Sequence, residues 1–127
     1  MNTPGLNHVI LTISDVATSR EFYAGVLGFE IFDVPGNPEA GFYVEAGGMT
    51  IWFIRSAKLV SGDRFSEFRI GLDHLGFAAP SKDALERLAE KLTAAGVETS
   101  GVERFVTGNW YVAFRDPDNI QLEYWLP

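Results

Sequence analysis

Three side chains in this sequence combine metal-binding chemistry with strand-like surroundings: His8, His74 and Glu123. The chain has two histidines and no cysteine, so imidazole and carboxylate are its strong ligand types. Glu123 stands in residues 120–125, where Ile120, Leu122 and Tyr124 alternate with Gln121, Glu123 and Trp125. A period of two places these sets on opposite faces of a strand. A carboxylate in so apolar a strand needs a cation or hydrogen-bond donors. An arginine would serve, with Arg115 and Arg55 as candidates. A metal ion would serve equally. Two histidines and one carboxylate on a shared face form the set that holds iron(II) or manganese(II) with positions left open, and the same donors suit zinc.

The elements that must carry these residues follow from patterning. Residues 6–13 read as a strand with Val9, Leu11 and Ile13 on its apolar face and His8 beside Leu6, Ile10 and Thr12 on the other. Asp15 is an N-cap, opening a helix to about residue 27 with Phe22, Tyr23, Val26 and Leu27 on one stripe, closed by Gly28. Residues 29–34 read as a strand, Pro35-Gly36-Asn37-Pro38 as a loop, and residues 42–46 and 49–54 as a hairpin around Gly47-Gly48. Residues 56–70 form an irregular crossover and a candidate flap over a site.

The pattern then restarts. Leu72-Asp73-His74 echoes Leu6-Asn7-His8 at an offset of 66 (74 − 8), and Ser81 lies seven residues after His74, as Asp15 does after His8. Leu85, Leu88 and Leu92 give the second helix its core stripe and Gly96 ends it. Strands follow within 97–107, at 110–115 and at 120–125, the last two joined by an Asp116-Pro117-Asp118-Asn119 turn. The fold class is therefore α+β: two βαβββ modules, about 5–55 and 71–127, in a single domain spanning 1–127. They are expected to pair about a pseudo-twofold axis into a curved, cup-like mixed sheet with the helices outside. That symmetry would bring His8 and His74 together, and Glu123 would join from the last strand.

Composition narrows the class. Hydrophobic content of 46% with 21% charged residues fits a soluble globular protein. A net charge of −7 with no basic run argues against nucleic acid and anionic membranes as partners. No apolar stretch approaches the roughly 20 residues that span a bilayer, and no leader is evident, so a cytoplasmic location is expected. Without cysteine there is no disulfide and no thiolate chemistry.

Taken together, Leu6-Asn7-His8-Val9, Arg20-Glu21-Phe22-Tyr23 running into Leu27-Gly28-Phe29-Glu30, Leu72-Asp73-His74-Leu75-Gly76-Phe77, and Phe114-Arg115-Asp116-Pro117-Asp118-Asn119 followed by Gln121-Leu122-Glu123 resemble the vicinal oxygen chelate superfamily. That superfamily contains glyoxalase I, bleomycin-resistance proteins, fosfomycin-resistance enzymes, methylmalonyl-CoA epimerase and extradiol dioxygenases. The resemblance implies paired βαβββ modules around one divalent metal (iron, manganese, zinc, nickel or cobalt). The matching ligand positions here are His8, His74 and Glu123. It also implies a small-molecule substrate chelating through adjacent oxygens, and a homodimer.

Superposing the last strands of the two modules at an offset of 71 puts Trp52 at the position of Glu123 (123 − 71). Glyoxalase I and the epimerase usually carry a polar fourth ligand there, whereas an indole cannot coordinate. The set thus resembles the three-ligand members. By strand alternation Ile10, Thr12, Gly76, Ala78, Gln121 and Trp125 share the ligand faces, and with Trp52 and Tyr111 they are the expected substrate pocket. Isomerase or lyase chemistry would rely on Glu123 as the catalytic base. Dioxygenase chemistry would need Tyr111 or Tyr43 in place of a spare histidine. A fosfomycin-type transferase would draw on Arg64, Arg69, Arg104 or Arg115. The competing reading is a metal-free binding protein of the bleomycin-resistance type, whose groove the 13% aromatic content would suit.

Overall fold

The computed structural model describes residues 2–127. The chain divides into two compact units, one ending at Asp63 and the other beginning at Arg64. This boundary falls inside the expected crossover.

The first unit runs β1 (His8–Ile13), α1 (Val16–Arg20), β2 (Phe32–Asp33), β3 (Gly41–Ala46) and β4 (Met49–Arg55). Its sheet has the order β1-β4-β3-β2, with β1 parallel to β4 and the other pairs antiparallel. Asp15 caps α1 as expected, its Oδ1 accepting from the Thr18 amide at 2.8 Å. Beyond Arg20 the helix widens into a π-helical segment, Glu21–Val26. The Leu27 amide accordingly bonds to the Phe22 carbonyl five residues back, at 3.0 Å. The successive residues Phe22 and Tyr23 are both buried there, and the Tyr23 ring lies 4.2 Å from that of Phe53. Leu11, Ile13, Phe42, Val44 and Ile51 complete this core.

Of the strand expected at 29–34, only Phe32–Asp33 forms. The Phe29 amide is tied back to the Tyr23 carbonyl at 2.9 Å, so the chain leaves the helix before it can join the sheet. Gly41 is demanded by its surroundings. Its φ is +149°, and a Cβ there would lie 1.9 Å from the Phe53 carbonyl oxygen.

The second unit repeats the plan with β5 (Leu75–Ala78), α2 (Lys82–Ala94), β6 (Thr99–Arg104), β7 (Trp110–Arg115) and β8 (Gln121–Leu126). The order is β5-β8-β7-β6, again with the first strand parallel to the last. Ser81 Oγ caps α2 by accepting from the Ala84 amide at 3.1 Å. Leu85, Leu88 and Leu92 are buried on the helix face that packs on β6 and β7, beside Val112, Phe114, Ile120 and Leu122. Burying each leucine contributes about 1.5–3 kcal/mol.

The turn before β8 is fixed by the buried Asp116, whose Oδ1 accepts from the amides of Asp118 (2.8 Å) and Ile120 (2.9 Å). The crossover is fastened to this turn. The Phe65 amide donates to the Asp118 carbonyl and Asn119 Nδ2 donates to the Phe65 carbonyl, both at 3.0 Å.

The two registers reproduce the repeat. Ile10 lies opposite Trp52 in the first sheet and Gly76 opposite Glu123 in the second. The offsets between these pairs, 66 (76 − 10) and 71 (123 − 52), are those read from the sequence.

Candidate metal and substrate site

His74 lies one residue before β5, not within it as the alternation suggests, because the β5–β8 ladder begins at Leu75 opposite Leu122. Its ring is held from both sides. Nδ1 is 2.7 Å from Asp73 Oδ1 and Nε2 is 3.2 Å from Glu123 Oε1. The hydrogen bond to Asp73 raises the imidazole pKa; burial opposes this, and the charges of Glu123 and Asp73 add to it. An ionised carboxylate only accepts, so Asp73 takes the hydrogen on Nδ1 and Glu123 faces the one on Nε2, and the ring is oriented with Nε2 toward Glu123. Gln121, expected in the pocket, donates Nε2–H to Asp73 Oδ1 at 3.2 Å and steadies that carboxylate.

Glu123 sits in mid-strand with its side chain 19% exposed. Neither arginine considered for it is its partner. Arg115 makes a two-pronged pair with Glu67 of the crossover, at 2.7 and 2.8 Å, while Arg55 Nε donates to the Ser14 carbonyl at 3.2 Å. The Arg115 guanidinium holds the Glu67 carboxyl down to about 2. What faces Glu123 is therefore an imidazole.

Cross-strand pairing puts Ala113 opposite Glu123, Arg115 opposite Gln121 and Tyr111 opposite Trp125, so these residues share one face. Toward the Gln121 end lies a pocket of about 230 Å³ that Arg115, Gln121, Ala113 and Thr99 help to line. At the Trp125 end stands an aromatic group. Trp125 and Tyr111 stack at 6.0 Å with their planes 21° apart, and Phe105 meets Trp125 edge-on at 5.5 Å. The Tyr111 hydroxyl donates to Glu103 at 2.9 Å, and that bond raises its pKa.

In the first unit His8, Ile10 and Thr12 are on the exposed face of β1. His8 Nδ1 lies 2.7 Å from Asn7 Oδ1, so the residue before it orients the ring as Asp73 orients that of His74. Trp52, opposite Ile10, donates its indole N–H to Thr50 Oγ1 at 2.9 Å and stacks on Tyr43 at 4.5 Å. Among the described residues, no group of three or more histidine, aspartate or glutamate side chains is gathered to hold a metal ion; the pair brought together is His74 and Glu123. Its donors, an imidazole nitrogen and a half-buried carboxylate, fit a divalent cation.

Sequence reasoning had not assigned roles to Asn7, Asp73, Glu67 or Phe105. The acceptor before each histidine was visible in the repeated triplets. The Glu67–Arg115 pair, 48 residues apart, left no local mark.

Two units of one parallel and two antiparallel strand pairs with a covering helix, related by an internal repeat, define the class of paired βαβββ proteins. The family model described as Glyoxalase/Bleomycin resistance protein/Dioxygenase superfamily matches residues 5–124, and the chain belongs to that superfamily. It is 26% identical to the uncharacterized protein YqjT of Bacillus subtilis, over 96% of this chain and 98% of that one. It is 30% identical to MhqO of the same organism, provisionally named a ring-cleaving dioxygenase, over 95% of this chain and 39% of that protein. The solved glyoxylase/bleomycin resistance protein/dioxygenase domain from Frankia sp. EAN1pec superposes with a TM-score of 0.81 at 33% identity, covering 98% of each chain. Among the described residues, no helix is long and apolar enough to cross a membrane.

Proposed function

We propose that this protein is a divalent-metal-dependent enzyme acting on a small substrate that chelates the metal through two adjacent oxygens, with His8, His74 and Glu123 as the ligands. The supporting observation is the His74–Glu123 pair, its Nδ1 side occupied by Asp73 and its carboxylate without an arginine. The superfamily includes lyases and dioxygenases, and its members commonly use a divalent metal. Such an ion would act as a Lewis acid, stabilising negative charge that develops on a substrate oxygen.

The chain's own residues have distinct parts in this reading. Asp73 and Asn7 orient the histidine rings. Glu123 is the ligand that could also take a proton from the substrate, since Trp52 leaves no second carboxylate at the equivalent position. Trp125, Tyr111, Trp52, Ile10, Thr12 and Gln121 bound the substrate. The two modules act as one domain, and a homodimer in the cytoplasm is part of the proposal. Reactions of the lyase, isomerase and ring-cleaving dioxygenase types all remain within it.

The test is metal content by elemental analysis of protein purified without a metal-affinity tag, for wild type, His8→Ala and Glu123→Ala. Near-stoichiometric metal that both substitutions remove supports the site. One observation favours a second reading, a metal-free small-molecule binder: Trp125, Tyr111 and Phe105 form an aromatic wall on the sheet face. Wild type that stays metal-free after divalent ions are supplied would overturn the metal-dependent reading, and a screen for a sequestered ligand would then test the alternative.

A further inference from the structure

Gly76 has no backbone reason to be glycine. It lies in the middle of β5, outside the positive-φ glycines, and a glycine in a strand interior costs stability. The surroundings of its missing side chain are specific. The three atoms nearest a Cβ built there, chain neighbours aside, all belong to Glu123: Oε1 at 3.4 Å, Cγ at 3.6 Å and Cδ at 4.0 Å. A methyl would just touch the carboxylate, and anything larger would occupy its place. The repeat supplies an internal control. In the first unit, where Trp52 replaces the carboxylate, the residue opposite it is Ile10, a full-sized β-branched side chain.

We propose that Gly76 is a positioning residue, kept bare so that the Glu123 carboxylate can lie across β5 and reach His74. The steric claim stands on these contacts alone, and its consequence for metal rests on the reading above.

The experiment is a mutant cycle on metal-free, chelator-treated protein, read by the denaturant midpoint of unfolding. Gly76→Val should lower the midpoint when Glu123 is present and raise it in a Glu123→Ala background, where a β-branched strand residue has room. Glu123→Gln, equal in size and uncharged, should behave like wild type toward Gly76→Val. Where Gly76→Val does not fold, Gly76→Ala follows the same cycle, with little change when Glu123 is present and a raised midpoint in Glu123→Ala. Equal shifts of the midpoint in both backgrounds would overturn the proposal. A second readout titrates zinc(II) into folded protein, where Gly76→Val should weaken binding at least tenfold. If wild type binds no zinc(II), manganese(II) or cobalt(II), the metal reading falls, and the metal-free cycle still decides the role of Gly76.

Discussion

Asp73 offers the sharpest test of how the candidate site is organised. Its carboxylate holds His74 Nδ1 at 2.7 Å and is itself held by Gln121 at 3.2 Å. Removing a partner of this kind behind a metal-binding histidine typically costs 10- to 100-fold in affinity. The Asp73 side chain is 64% exposed, so water already competes for the imidazole and the effect belongs at the low end. Asp73→Ala should therefore weaken zinc(II) binding about tenfold, equivalent to about 1.4 kcal/mol. Asp73→Asn keeps an accepting oxygen and loses the charge, so it should fall between wild type and Asp73→Ala. On zinc(II) binding, Gln121→Ala acts through Asp73. It should cost roughly 0.5 kcal/mol, a factor of two to three. Affinities would be read by competition with a chromogenic chelator at fixed pH, with circular dichroism to establish that each variant is folded. Folded Asp73→Ala that binds zinc(II) as tightly as wild type would refute the argument that Asp73 prepares His74. If His74→Ala also binds normally, His74 is no ligand at all.

Other perturbations test the fold that carries the site. Glu67 has its carboxyl lowered from 4.5 to about 2 by Arg115, so the pair stabilises the native state fully above pH 4.5 and loses that contribution as pH falls toward 2. Acid titration of Glu67→Gln, followed by tryptophan fluorescence, should thus show a flatter stability loss across that window than wild type; parallel curves would contradict the pairing. Ser19 is fully buried and its hydroxyl has no hydrogen-bond partner among the described residues, so Ser19→Ala should raise stability by about 1 kcal/mol in denaturant unfolding, with a decrease counting against it. Gly41→Ala, whose methyl would enter the Phe53 carbonyl, should destabilise by several kcal/mol or abolish folding, seen as loss of the cooperative thermal transition. Leu92→Ala should cost about 2–5 kcal/mol, because the side chain is fully buried on α2.

The parts of this molecule that could be read in the sequence are those fixed by local rules. The N-caps at Asp15 and Ser81, the glycine that ends each helix and the alternation in β1 and β8 each depend on a few neighbouring residues, and each has its expected place. The π-helical widening at Glu21–Val26 was not legible, because a helical stripe looks the same whether the bonds reach four residues back or five. The shortness of β2 was not legible for a related reason: residues 29–34 have strand character, but the Phe29–Tyr23 bond competes for the chain and only Phe32–Asp33 pairs. Arg115 was legible as a candidate partner of Glu123 and not as the partner of Glu67, since nothing at either position indicates the other.

The repeat supplied what propensity could not, through its failures as well as its matches. Equivalent positions that agree, Asn7-His8 and Asp73-His74, share an acceptor behind an imidazole. Equivalent positions that disagree do so in pairs. Where the second sheet carries Gly76 opposite Glu123, the first carries Ile10 opposite Trp52. A structural repeat would tolerate either pair in either sheet, as both fill a strand position. Their joint divergence means that one sheet has kept a charged group together with the empty space it needs, while the other has filled the same space with apolar atoms. In the site proposed above, a divalent ion would then meet one carboxylate instead of two. The ion with its ligands would keep a net positive charge for a substrate oxygen to neutralise, and that charge is what stabilisation of an oxyanion requires.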